Sequence, residues 1–232
     1  MDTVLYIDIE GFSATFETSG KQAMVALTND IFTLLKYKYQ YIAVYQFGGD
    51  GFLIKTIGPF IEQQNTLINI GITLLKSILI QGGIGRIQMS QGNMADISQL
   101  YSDEIIKAFT NQDMETKHFI GSTSINKNIF TINHIIGPGI INAFNLKGRS
   151  GPIFIIDPVL IEQNPSAVKD YSLVNIHGAY ELNWLIYIND EVRNNLKILN
   201  LNQDANLNLL LDSYLKANIL NKQWVMGAKS LK

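Results

Sequence analysis

Two acids in this chain stand where carboxylates are unexpected. Asp8 interrupts the apolar run TVLYIDIE (3–10), and Asp50 sits in the glycine turn of YQFGGDGFLIK (45–55). Each alone has an ordinary explanation. Asp8 can cap a turn or the next helix, and Gly48-Gly49-Asp50-Gly51 is good hairpin-turn chemistry. Brought together, two carboxylates repel until one protonates or a cation sits between them. Oxygen-only ligation suits Mg²⁺ or Mn²⁺, which keep waters and take further ligands from substrate phosphates. Two such ions, about 3.5–4 Å apart, clamp the attacking and leaving oxygens of nucleotidyl transfer. The segment IEGFS (9–13) supplies the complement. Gly11 lets backbone amides, Phe12 among them, approach an anion, and the Ser13 hydroxyl can donate. A two-acid metal site beside a phosphate cradle points to nucleoside triphosphate chemistry.

The elements that must hold these residues follow from periodicity. The run at 3–10 reads as a buried strand, and KQAMVALTNDIFTLLKYKY (21–39) has helical spacing. YIAVYQF (41–47) and FLIKTI (52–57) form a hairpin about the glycine turn. Residues 60–80 read as a second helix, buried despite Lys76, and 82–90 as a strand. Further on come a short helix around DEIIKAF and a strand at 128–136. A short helix opened by Pro138 and closed by Gly148 follows, then a strand at 152–157. A late hairpin (171–176 with 180–188) and a leucine-rich helix (204–220) end the series. The order βαββαβ with further αβ units predicts an α+β fold of the split-βαβ or ferredoxin-like plan. Its sheet is mixed, with helices mainly on one face. The first strand then lies beside the hairpin, so Asp8 and Asp50 converge at one end of the sheet. One domain is expected: a catalytic part over 1–190 and a helical extension over 191–232 that packs on the same domain or on a dimer.

Composition narrows the partners. The chain of 232 residues has a net charge of -2 and 47% hydrophobic residues, so it can fill a core and carries no basic footprint for a nucleic-acid polymer. With no cysteine, disulfides, thiolate metal sites and cysteine nucleophiles are excluded. MDTVLYIDIEGF does not read as a signal peptide, and LINIGITLLKSILI (67–80) is too short to span a bilayer. A soluble, cytoplasmic protein is the expectation.

DIEGFS, followed about forty residues later by FGGDGF, resembles the paired metal motifs of class III nucleotide cyclases. LIQGGIGRIQMSQG (79–92) and IIGPGIINAFNLKGRSGPIFIID (135–157) are similar to segments of the bacterial pyrimidine cyclases of Pycsar anti-phage systems. The resemblance covers roughly residues 3–190. It implies that Asp8, the backbone carbonyl of Ile9 and Asp50 hold two Mg²⁺ or Mn²⁺ ions. It also implies a homodimer with sites at the interface and UTP as substrate, cyclised to 3′,5′-cyclic UMP and pyrophosphate. The product is an alarm signal read by a separate cyclic-nucleotide-gated effector. Cytidylate cyclisation, an ordinary adenylate or guanylate cyclase, and a catalytically inactive nucleotide-binding domain are the alternatives. A GGDEF-type dinucleotide cyclase is disfavoured by the missing Glu after Gly-Gly-Asp.

Several positions depart from the ordinary cyclase pattern. The ribose-positioning Asn falls on Ile141 and the transition-state Arg on Asn145. Asn145 is neutral, so it can hydrogen-bond but cannot offset developing phosphate charge. Either Lys147 or Arg149 substitutes, the metals carry more of the load, or turnover is slow; Arg86 is expected to serve at the surface. Gln81 stands where the Pycsar branch often has Arg. The base-reading positions carry Gln46 and His134, and Gln suits the edge of uracil or cytosine because it both donates and accepts. Tyr45 or Phe47, whichever faces the pocket, would fill the space of a purine.

Overall fold

The computed structural model describes residues 2–12, 20–47, 51–56, 63–97, 100–109, 122–125, 128–131, 135–146, 151–169, 171–176, 178–218, 222–229 and 231. The chain opens with β1 (Thr3–Ile9), α1 (Lys21–Tyr37), β2 (Ile42–Phe47), β3 (Gly51–Thr56), α2 (Gln63–Ile80) and β4 (Gly85–Gln91). Their strands lie side by side in the order β4-β1-β3-β2, all antiparallel, which is the split-βαβ arrangement expected from the sequence. β9 (Phe154–Ile156) adds to β4 in parallel, and β10 (Leu173–Ile176) with β11 (Ala179–Leu182) completes a mixed seven-stranded sheet.

The pleat of β1 divides the molecule. Leu5, Ile7 and Ile9 face one side and join Phe52, Ile54, Ile87 and Met89 in the main core. The buried stripe of α1, Leu27, Ile31 and Leu34, covers this face. α2 lies there too, in close contact with the sheet. A Cβ at Gly71 would stand 2.8 Å from Phe154 and 2.9 Å from Leu5, so glycine lets the helix backbone settle onto the strands.

Val4, Tyr6 and Asp8 face the other way. After the two-residue β5 (Ala95–Asp96), α3 (Asp103–Phe109), a hairpin of β6 (Ser122–Ile125) with β7 (Asn128–Thr131), and β8 (Ile135–Ile136), the chain forms α4 (Pro138–Asn145) across this face. A second, smaller core of Val4, Tyr6, Leu53, Met94, Ile135, Ile140 and Ala143 lies beneath it. Pro138 opens α4 as expected, where its missing N–H is harmless. A Cβ on Gly139 would lie 2.7 Å from the carbonyl oxygen of Gly92, so this crossing requires glycine.

The last third departs most from the periodicity. The expected strand at 128–136 is instead β7 and, separately, β8 paired with β5; residues 132–134 lie outside the described set. The expected strand at 180–188 stops pairing at Leu182. Trp184 then turns inward, fully buried, and its indole N–H donates to Pro152 O at 2.6 Å. α5 (Pro158–Gln163), a 3₁₀ turn (Pro165–Val168), α6 (Asp190–Ile198) and α8 (Lys222–Lys229) were not signalled by the sequence pattern, whereas α7 (Leu207–Ala217) was. In α7 Leu211 is buried while Leu209 is exposed. Val192, Leu196, Leu211 and Ala228 join the same main core as α1 and α2. Among the described residues no helix is long and apolar enough to cross a membrane.

Candidate active site

The acid Asp8 sits near the end of β1 on the α4 side of the sheet, half-buried. Its partner across the β1–β4 ladder is Arg86, as Ile7 pairs with Ile87 and Ile9 with Gly85. Hydrogen bonds from Glu10 N to Ile84 O (3.0 Å) and from Gly92 N to Asp2 O (3.0 Å) set the phase of this ladder. Asp8 and Arg86 are therefore a hydrogen-bonded pair, with Cα atoms about 5.5 Å apart. By the same alternation the odd residues of β1, Ile9 included, turn their N–H and C=O toward β3. On that side Ile7 pairs with Phe52, one residue from Gly51, which opens β3.

Aromatic residues wall this end. A Cβ at Gly51 would collide with the Tyr6 ring, 2.5 Å from Cε2, so glycine here is imposed by Tyr6. Tyr6 meets Phe144 of α4 edge-on at 4.6 Å between centroids, and Phe144 lies 5.3 Å from Phe47. Ser90 Oγ donates to Gly139 O and Gln88 Nε2 to Leu146 O, both at 3.1 Å. Helix α4 thus runs from the level of the Val4–Ser90 pair to that of Tyr6–Gln88. Its last turn, carrying Asn145, stops two residue pairs short of Asp8 and Arg86.

The expected site residues divide into four groups. Asp8, Tyr45, Phe47 and Asn145 share the α4 side, Tyr45 and Phe47 packing at the edge of the smaller core. Asn145 and Ile141 are exposed. Gln46 pairs with Phe52 and so stands on the opposite face, exposed on the edge strand β2. The Ile9 side chain is in the main core and Phe12 packs against it, which leaves their backbone groups as the relevant ones. Gly11 has φ +73°, a left-handed backbone suited to glycine. Ser13, Asp50, His134, Lys147 and Arg149 lie outside the described residues.

Arg86 is the residue whose surroundings the sequence did not disclose. It is half-buried, and its Nε has no surface exposure and no hydrogen-bond partner among the described residues. The expected surface role is thus corrected. Parity with Asp8 across the strand pair was the missing signal, and it needs the register. Gln81 follows the end of α2 and donates to Asp30 Oδ2 (2.9 Å) and Ser77 Oγ (2.8 Å). Ser77 Oγ also donates to Asp30, and burial raises the Asp30 carboxyl pKa above its usual value despite these bonds. A cavity of about 170 Å³ opens nearby on the helix side, bordered by Ile9, Glu10, Gln81 and Tyr214.

For a divalent cation the donor chemistry fits. Asp8 has other interactions, yet its Oδ1 is buried without a hydrogen bond among the described residues. The carbonyl of Ile9 is an adjacent oxygen donor. Among the described residues no three His, Cys, Asp or Glu side chains cluster.

No protein-family model and no curated protein matches the sequence. Among solved structures, the adenylyl cyclase CyaB from P. aeruginosa is similar at 14% identity and TM-score 0.49, over 82% of this chain and 95% of that one. The guanylyl cyclase Cya2 has 13% identity and TM-score 0.44, over 78% of this chain and 90% of that one. A bacterial light-regulated adenylyl cyclase has 13% identity and TM-score 0.47, over 92% and 97%.

Proposed function

We propose that this protein is a metal-dependent nucleotide cyclase of class III type that converts UTP to 3′,5′-cyclic UMP and pyrophosphate. The single observation that carries this reading is the placement of Asp8. A carboxylate ends the central strand of a split-βαβ sheet, on the face crossed by α4 and beside the start of β3. Asp8, the Ile9 carbonyl and Asp50 would hold Mg²⁺ or Mn²⁺, which when bound lowers the pKa of a coordinated hydroxyl and neutralises phosphate charge. The chain's own groups bind and orient. The backbone about Gly11 and Phe12, with the Ser13 hydroxyl, receives the β- and γ-phosphates, and Asn145 offers a neutral hydrogen bond from the end of α4. Tyr6, Phe47 and Phe144 restrict the space beside Asp8.

Gln46 and Asp8 face opposite sides of the sheet, so one chain does not present both to one pocket. Base reading by Gln46, with His134, therefore belongs to a homodimer in which two chains build each site. A Gln amide matches the donor and acceptor edge of uracil. The product would serve as a diffusible signal, in defence against phage, for a cyclic-nucleotide-gated effector.

The test is incubation of the pure protein with each of ATP, GTP, CTP and UTP and Mn²⁺, with products separated by chromatography and identified by mass. Cyclic UMP as the main product is expected. Cyclic AMP or GMP as the main product overturns the pyrimidine assignment, and no cyclic product from any of the four overturns the cyclase reading.

A further inference from the structure

The cavity of about 170 Å³ on the helix side lies behind the Asp8 end of the sheet. Its floor is the paired ends of β1 and β4, where Glu10 N donates to Ile84 O at 3.0 Å. Ile9, Ile78 and Ile84 line it, and the small side chains of Ala23 and Ala26 on α1 leave the space open. Tyr214 of α7 borders it from the far side. This volume is close to the roughly 150 Å³ of an apolar cavity that holds benzene. A ring or short branched chain therefore fits it.

The charge of the lining is one-sided. Among the described lining residues Glu10 is the sole acid, and there is no Lys, Arg or His. Lys21 borders a neighbouring, more open groove along α1 instead. Burial, and after it the Glu10 charge, raise the Tyr214 pKa, so the carboxylate acts on the cavity's own wall. Glu10 and Tyr214 have interactions within the fold, to which a ligand adds. The Gln81 amide donates to both Asp30 and Ser77, so what it has left to offer is its acceptor oxygen. Helix α1 begins and α2 ends at the rim, so their dipoles oppose each other and the carboxylate decides the sign. Apolar walls, one acid and a spare acceptor match a cationic donor on an apolar body.

We propose that this cavity binds a small organic amine, its ammonium on Glu10 and its apolar body among Ile9, Ala26 and Ile84, and that occupancy is felt at the acid site on the reverse face of the same strands. The path between the two is short. The Ile9 side chain lines the cavity, while its carbonyl is the oxygen offered to the divalent cation. This coupling rests on the cyclase reading, whereas the amine site does not.

Benzylamine, benzyl alcohol and benzoate share a ring and differ in charge, so each is titrated into the full chain by calorimetry. Benzylamine is expected to bind with a Kd of about 1 mM or tighter, and the other two at least about 10-fold more weakly. Glu10→Gln should remove that preference. Ala26→Leu narrows the cavity and keeps the acid, and should weaken benzylamine at least about 10-fold. Urea midpoints check that both variants fold, and the three-probe comparison on wild type needs no variant. No binding of benzylamine, equal affinity for the three probes, or wild-type benzylamine affinity in either folded variant overturns the site. For the coupling, Mn²⁺ is titrated with and without saturating benzylamine, and its affinity is expected to shift at least about 5-fold. An unchanged Mn²⁺ affinity overturns the coupling and leaves the amine site standing. If Mn²⁺ does not bind at all, the metal site of the cyclase reading fails and the coupling with it, while the amine titrations still decide the cavity.

Discussion

Lys76 gives this fold a measurable electrostatic liability. It lies inside α2, 3% exposed, with its Nζ donating to Leu185 O at 3.1 Å. Burial pushes its pKa down from 10.5 to about 8. Below pH 8 the ammonium is charged in both folded and unfolded chains, and the fall from 10.5 to about 8 corresponds to about 3 kcal/mol of lost stability. Between pH 8 and 10.5 the unfolded chain holds the proton more tightly than the folded one, so stability rises with pH across this window. Lys76→Met keeps an unbranched apolar stem and removes the charge. It leaves Leu185 O without its donor, a loss of about 1 kcal/mol. At pH 7 the variant should therefore be more stable than wild type by about 1–2 kcal/mol. Near pH 10 the advantage should vanish or reverse. Urea unfolding followed by tryptophan fluorescence reports this, since Trp184 is fully buried. Burial also raises the pKa of Tyr39 and Tyr214, which destabilises the fold at high pH, but this affects both proteins and cancels in their difference. A wild-type-minus-variant difference that stays constant from pH 7 to 10 refutes the reasoning.

Three further outcomes test other parts of the structure. Asp8→Asn should reduce nucleotide turnover at least about 100-fold while leaving the urea midpoint unchanged or raised, because a half-buried carboxylate becomes neutral; full activity in the variant removes Asp8 from the site. Gly139→Ala puts a methyl 2.7 Å from Gly92 O, so α4 must lift from the sheet. Denaturation should show a loss of about 1–3 kcal/mol, and an unchanged midpoint contradicts the close crossing. Asn195 is fully buried, accepts from Lys38 Nζ (2.8 Å), and donates to Tyr39 OH (2.8 Å) and Thr73 Oγ1 (3.0 Å). Asn195→Ala should cost about 2–3 kcal/mol in the same assay, and a loss under about 0.5 kcal/mol would show that α6 is held by its apolar side chains alone.

The sequence by itself determined the inner fold. The apolar run TVLYIDI, the helical stripe of Leu27, Ile31 and Leu34, and the glycine turn before Gly51 are local signals with one economical packing, the order β4-β1-β3-β2. That order also determined which end of the sheet carries Asp8. Beyond Gly92 the local signals weaken. The strand-like run at 128–136 divides between two pairings, and YELNWLIYI leaves its strand because Trp184 gains more by burial against Pro152 than by continuing the ladder. Helices α5, α6 and α8 are short, and each takes its stability from the core it covers, which composition does not reveal. The faces were decided only by tertiary structure. A strand residue's side follows from its register, and register is a property of two strands at once. That is why Gln46 falls on the face opposite Asp8, and why Arg86, unremarkable along the chain, stands beside the acid across it.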